Sequence, residues 1–135
     1  MTVYRFEKRV TKNFGKILEP SIPISIVGPD QRVDVMALID SGADISLFPY
    51  SIAELIGAPL DLKELREIHG LGQSGVPYIL GTATMVIAES EMTARVAWAL
   101  IDEAPLVLGR LDVFESFVIE FREYEDRIVI EPRPE

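Results

Sequence analysis

The chain has 135 residues, 48% of them hydrophobic, no cysteine and a net charge of −9. That suffices for one domain with a real core, expected to span residues 1–135, and leaves little room for two. The missing cysteines exclude a disulfide framework, a Cys-based zinc site and a thiol nucleophile, and the acidic balance argues against nucleic-acid binding.

The start, Met1 to Lys16, is mixed polar and basic without the apolar stretch of a secretory signal. No window approaches the ~18 uninterrupted apolar residues of a membrane span. The expectation is a cytoplasmic chain with no membrane partner, and the lack of cysteine fits a reducing compartment. The charge is unevenly placed. Residues 1–16 carry five bases (Arg5, Lys8, Arg9, Lys12, Lys16) and one acid (Glu7), a net +4, so the remainder carries −13. A basic start and an acidic end can lie against each other, within one chain or between two. Ordinary solvated surface explains the same numbers and is the plainer reading.

Most of the chain reads as strand. Val3 to Val10 is a weak, mixed segment. Ile22 to Val27 alternates apolar residues with Pro and Ser, and Pro23 argues against a central strand there. Gly28-Pro29-Asp30 is a turn. Arg32 to Asp40 alternates at first, then turns wholly apolar as it nears Asp40, the pattern of a strand entering a core. Ser51 and Glu54 have capping-box spacing and Gly57 is a natural stop, which predicts a short helix between Pro49 and Gly57. Leu65 to His69 and Val76 to Ile87 flank the glycine-rich Gly70-Leu71-Gly72-Gln73-Ser74-Gly75, which predicts a long hairpin. Glu89 to Glu91 is the next turn, and Met92 to Ile101 a strand with Trp98 in the core. Leu106 to Arg110 is a short buried strand stopped by Gly109. Leu111 to Ser116 is compatible with one or two helical turns. Phe117 to Arg122 and Arg127 to Glu131 are strands around a charged turn, and Pro132 to Glu135 is a frayed tail. Roughly eight closely spaced strands with one or two short helices predict a compact, barrel-like, all-β fold.

Within this pattern one stretch is chemically unusual. The apolar Ala37-Leu38-Ile39 runs straight into Asp40-Ser41-Gly42-Ala43-Asp44. A carboxylate at the end of a buried strand is costly unless something uses or neutralises it. Ser41 supplies a hydroxyl that both donates and accepts, and Gly42 lets the backbone turn or approach closely. Other chemistries are poorly served. His69 is the sole histidine, and no G-x-S-x-G nucleophile elbow accompanies it. One histidine with dispersed carboxylates forms no recognisable metal-ligand set. Gly70 to Gly75 matches G-x-G-x-x-G only superficially, because no βαβ context surrounds it.

The chain resembles the retropepsin family, the retroviral-type aspartic proteases, in three features that occur in the family's order. Asp40-Ser41-Gly42-Ala43 after an apolar lead-in is similar to the D-[TS]-G-A active-site motif. The glycine-rich tip at Gly70 to Gly75 is similar to the flap. Leu106-Val107-Leu108-Gly109-Arg110 is similar to the apolar Gly-Arg segment before the C-terminal helix. Together they cover roughly residues 20–130. The resemblance implies a small closed acid-protease barrel with a flap hairpin. It implies that Asp40 is the catalytic carboxylate and that one chain offers half a site, completed by its copy in a homodimer. It implies a peptide or protein substrate and no metal or cofactor. Ser41 would tie the two active-site loops across the dimer axis, Gly42 and Ala43 would lie near axis and substrate, and Asp44 would pair with Arg110 to brace the loop. Gly70, Leu71, Gly72, Gln73, Ser74 and Gly75 would close over the bound peptide. Ile39, Ile45, Leu47, Leu71 and Val107 are candidates for apolar side-chain pockets. The charge asymmetry adds an expectation that N- and C-terminal segments pair across the dimer. The functional expectation is an aspartic endopeptidase; the alternative is a dimeric peptide-binding or scaffolding module of the same fold without turnover.

Overall fold

The computed structural model describes residues 1–68 and 75–134. Twelve strands run through these residues: β1 (Thr2–Tyr4), β2 (Glu7–Thr11), β3 (Gly15–Glu19), β4 (Ser21–Val27), β5 (Arg32–Ile39), β6 (Ser46–Pro49), β7 (Leu65–Ile68), β8 (Val76–Ile87), β9 (Ser90–Ala99), β10 (Val107–Leu108), β11 (Phe117–Arg122) and β12 (Arg127–Pro132). A single α-helix among them, α1, spans Tyr50–Ile56, and single 3-10 turns occupy Leu62–Glu64 and Glu123–Glu125.

The centre is a closed, all-β barrel. Its strands hydrogen-bond in the order β4-β5-β10-β6-β9-β8, and β8 returns to β4 to shut the ring. Most neighbours are antiparallel, as hairpin connections require. The exceptions are β10 on β5 and β6 on β9, which are parallel. They arise because β10, late in the sequence, is inserted between β5 and β6. Closure removes the open edges on which sheets aggregate. β7 lies outside the ring as the outer partner of β8, pairing Leu65 with Ile79 and Ile68 with Val76.

The inward positions are apolar, as period-two alternation demands. Ile22, Ile24 and Ile26 of β4, Ile39 of β5, Phe48 of β6, Ala83, Met85 and Ile87 of β8, and Val96 and Trp98 of β9 form one buried cluster. Phe48 and Trp98 pack with ring centroids 5.7 Å apart and planes tilted by 55°. Pro23 sits inside a ring strand, against the expectation that it marks an edge. The physical reason is local: β4 meets β8 only through Ser25, Ile26 and Val27, so the missing N–H falls outside that ladder.

Helix α1 begins at Tyr50 after Pro49, whose side chain makes no cap. The expected Ser51–Glu54 box therefore does not form, because Ser51 already lies within the first turn. Gly57 does stop the helix. Its φ of 74° is left-handed, its amide reaches the Glu54 carbonyl, and Ala58 N–H bonds the Ala53 carbonyl. Residues 111–116 form hydrogen-bonded turns rather than a regular helix, with Phe114 N–H on the Arg110 carbonyl.

The ends differ most from expectation. The weak, mixed segment from Val3 to Val10 holds parts of two strands, split at the buried Phe6, and β2 continues into a hairpin with β3. β1 pairs antiparallel with β12, and β12 with β11, in a three-stranded sheet within one chain. The charge complementarity of the termini is likewise satisfied internally. Arg5 donates to Asp126 at 2.8 and 3.0 Å, Lys8 Nζ lies 3.6 Å from it, and Phe6 N–H donates to its second oxygen. These contacts, the Arg5 hydrogen bonds first, hold the Asp126 carboxyl below the ordinary range. Of the two arrangements open to this pairing, the structure shows the one within a single chain: Asp126 sits in a left-handed turn just before β12, which carries the same chain's β1.

A second carboxylate staples the turns after β10 to the barrel. Asp112 accepts from the backbone N–H, Nε and Nη2 of Arg95 on β9, each at 2.9 Å. The Arg95 side chain, through these bonds, lowers the Asp112 pKa from 3.8 to about 2. A carboxyl whose folded pKa is depressed stabilises the fold above its unfolded value and loses that contribution as pH falls through the folded one. Asp112→Asn is therefore expected to lower the urea midpoint at neutral pH. The gap to wild type should close as pH falls from 3.8 towards about 2.

Candidate active site

Asp40 follows the last residue of β5, where the apolar strand leaves the core. Its position is set by the inserted β10. Leu38 N–H donates to the Leu106 carbonyl and Asp40 N–H to the Leu108 carbonyl, both at 2.9 Å. On the other side, Ile39 N–H donates to the Pro20 carbonyl at 2.8 Å. The backbone that delivers the carboxylate is thus held from both flanks.

The carboxylate is oriented by its own loop. Gly42 N–H donates to Asp40 Oδ1 at 2.8 Å, and Ala43 N–H to the Asp40 carbonyl at 3.2 Å. A charge-assisted bond of this kind fixes one oxygen. No other described group hydrogen-bonds the carboxylate, which is half-buried. A Cβ added at Gly42 would stand 3.2 Å from Oδ1, so the residue's bareness keeps the approach to the carboxylate open.

The loop from Asp40 to Ile45 bridges β5 and β6 across the end of β10, and the chain after β10 locks it in place. Gly109 N–H donates to the buried Ser46 Oγ at 3.0 Å, Arg110 N–H to the Ala43 carbonyl at 2.9 Å, and Leu111 N–H to the Asp44 carbonyl at 2.8 Å. The two segments approach so closely that a Cβ on Gly109 would lie 2.4 Å from the Ile45 carbonyl. The structure thus brings Asp40, Gly42, Ala43, Asp44 and Arg110 into one neighbourhood.

One detail differs from the sequence expectation. Among the described residues no ion pair joins Asp44 and Arg110. Both are exposed and line a shared cleft with Leu111, Phe114 and Glu115, while their segments are joined through the backbone. An exposed pair contributes little, and the backbone bonds already supply the bracing. Ser41 is exposed and its hydroxyl makes no bond to a described residue.

An open cleft of about 600 Å³ lies over the carboxylate, lined by Asp40, Gly42, Ala43, Asp44, Ile45, Leu47, Tyr78 and Val107. Three of the expected apolar candidates, Ile45, Leu47 and Val107, are there. Ile39 is a core residue instead. Leu71 lies outside the described residues, together with His69 and the expected tip residues Gly70, Gly72, Gln73 and Ser74. The arms of that hairpin, β7 and β8, are described, and Gly75 leads into β8 half-buried. Two contributors went unrecognised in the sequence. Tyr78 reaches the cleft from β8, and nothing in an alternating strand marks which residue will face a distant loop. Ser46 carried a signal that was available, a polar residue followed directly by the apolar Leu47 and Phe48. Among the described residues no group of three or more His, Asp or Glu is placed to hold a metal ion. Nor, among the described residues, is any helix long and apolar enough to cross a membrane.

No family model matches the chain, and no curated protein does. Solved structures do. A retropepsin-like aspartic protease from Rickettsia conorii superposes with a TM-score of 0.60 at 18% identity, covering 97% of this chain and 99% of the other. The retroviral protease-like domain of Ddi1 from Leishmania major gives 0.61 at 17% identity, covering 86% and 96%. EIAV protease complexed with the inhibitor HBY-793 gives 0.51 at 21% identity, covering 78% and 92%. At such identities the likeness is one of fold. The chain has the retropepsin-like, all-β acid-protease fold.

The tight contact at Gly109 generates a prediction. Gly109→Ala forces the Asp40 loop to move, and overpacking of this kind costs about 1–3 kcal/mol. Chemical denaturation is expected to show that loss, whereas alanine at the open Gly15 turn, which lacks neighbours within 4 Å but has a φ of +65°, should show only its backbone strain.

Proposed function

We propose that the chain is an aspartic endopeptidase that works as a homodimer, with Asp40 of each copy forming the catalytic pair. The observation that carries this reading is the placement of Asp40. It is a half-buried carboxylate, aimed by the Gly42 amide, with its other oxygen free, in a cleft with apolar walls. Each chain supplies one such carboxylate, so a two-fold axis through the Asp40 loops would supply the second. The exposed Ser41 hydroxyl supports this, since no described residue occupies it and it is left available to a counterpart. The retropepsin-like fold supports it as well.

The chemistry follows from two carboxylates held close. Both cannot ionise easily, so they share one proton and titrate as a unit, as aspartic proteases do. The ionised member takes a proton from a water, which attacks the scissile carbonyl carbon. The protonated member donates to the carbonyl oxygen, giving a tetrahedral diol. A proton then passes to the leaving amine as the C–N bond breaks. The substrate would lie extended, its main chain pairing along β8 and the Asp40 loop. Ile45, Leu47 and Val107 would favour apolar side chains, and the β7–β8 hairpin would close over the peptide.

The test compares wild type with Asp40→Asn on an unbiased peptide library across pH ~4–7, where a coupled carboxylate pair is expected to be singly protonated. Cleavage should drop by about 10²–10⁴-fold or more, the size of a general acid–base contribution. It should also follow a bell-shaped pH profile. Equal cleavage by both proteins refutes the reading, and binding without cleavage by either would make the chain a peptide-binding module.

A further inference from the structure

Between the terminal sheet and the barrel lies a hairpin that belongs to neither. Among the described residues β2 and β3 pair only with each other, Glu7 opposite Glu19 through Thr11 opposite Gly15. A lone two-stranded hairpin is marginal in water unless something covers it. Its base is covered: Phe6 is buried and Leu18 packs on the core. Its outer half is not. Val10 and Lys16 face each other on the same side of the hairpin as Leu18, two residues farther out. The face that packs on the core at the base therefore continues past it with nothing beneath. Val10 is 75% exposed and Phe14 79%. The tip is nonetheless a formed turn, since Thr11 Oγ1 donates to the Gly15 carbonyl at 2.9 Å and accepts from Phe14 N–H at 3.0 Å.

The charges at the tip are also unspent. Arg5 and Lys8 engage Asp126, and Arg9 engages Glu19. Lys12 and Lys16 are exposed and pair with no described residue. They are carried on a chain whose residues beyond 16 hold a net −13. The location matters too. Pro20, directly after β3, accepts the Ile39 amide one residue before Asp40. The hairpin is rooted beside the end of the strand that delivers the carboxylate, and its five-residue arms reach about 17 Å from there.

We propose that the β2–β3 hairpin is a clasp that closes on a second copy of this chain. Val10 and Phe14 cover apolar surface of the copy, and Lys12 and Lys16 face its acidic body. The occupant is a copy because the tip is cationic and the remainder of the same chain is strongly acidic. The root of the hairpin also lies beside the Asp40 loop, which a copy must meet. The inference rests on the homodimeric reading above.

Sedimentation equilibrium of wild type, V10S/F14S and K12E/K16E tests it, with circular dichroism to verify folding and peptide cleavage measured alongside. All four positions are exposed, so the fold should persist. Dimerisation is expected to weaken at least about tenfold in V10S/F14S, well within what covering a Val and a Phe contributes. K12E/K16E should weaken it too, and high salt should weaken the wild-type dimer but not this variant's. Cleavage per dimer should stay unchanged at protein concentrations that restore the dimer. Unaltered dimerisation in both variants overturns the clasp, while cleavage that still depends on Asp40 leaves the proposed function standing. Wild-type binding to phosphatidylserine vesicles, lost in the variants with dimerisation unchanged, overturns it in favour of a membrane surface. A wild type that is monomeric and inactive removes both readings.

Discussion

The site depends on one topological constraint, the insertion of β10 between β5 and β6. These strands are adjacent in sequence and would otherwise pair as a hairpin. With β10 between them, the loop from Asp40 to Ile45 must pass over the end of another strand. That strand's continuation, Gly109 to Leu111, then supplies the amides that hold the loop. A conformation that a free loop would rarely sample is fixed by six backbone donors and one buried hydroxyl. The carboxylate is thereby placed before any ligand arrives, which is the condition under which a catalytic group is effective.

The apolar core serves the same end. Trp98 and Phe48, both wholly buried, lie on the paired strands β9 and β6 and fix the far side of the inserted strand. The Trp98 indole N–H has no hydrogen-bond partner among the described residues, and Gly81 beside it leaves room for the ring, with a Cβ there falling 3.1 Å from Nε1. The barrel therefore accepts an unsatisfied donor in exchange for a large packed surface next to the site. Electrostatics act at the periphery. Asp112 and Asp126 each collect several donors and each joins two distant segments. Both residues occupy left-handed backbone conformations at turns, where Asp is tolerated because its short polar side chain finds local partners.

Much of the architecture was legible in the residues. β8 runs over the predicted Val76 to Ile87, because a long alternating segment bounded by turn residues has few other ways to bury one face. Gly57 ends α1 as its type suggests. The loss of legibility elsewhere has specific causes. β6 was invisible because four residues offer no period to count. The β2–β3 hairpin was invisible because its pattern is polar and its turn, Lys12-Asn13-Phe14-Gly15, lies within a charged run. The split at Phe6 requires knowing that two short segments pair with different partners. The turn before β9 falls at Ala88 and Glu89, both at positive φ, where neither residue type advertises it.

What the sequence by itself determined is chemical: an acid at the end of an apolar strand, a hydroxyl and a glycine after it, and a Gly-Arg segment farther on. These follow from residue types at short range, where side-chain chemistry and local backbone preference act alone. What only the tertiary structure decided is which distant segments meet. It joined the segments of Asp44 and Arg110 through backbone bonds, Arg110 to Ala43 and Leu111 to Asp44, instead of through their charges, brought Tyr78 to the cleft, and paired the basic start with the acidic end inside one chain. Such choices depend on strand register and closure of the barrel. Those are set by the sum of many weak contacts across the whole chain, and no single residue type records them.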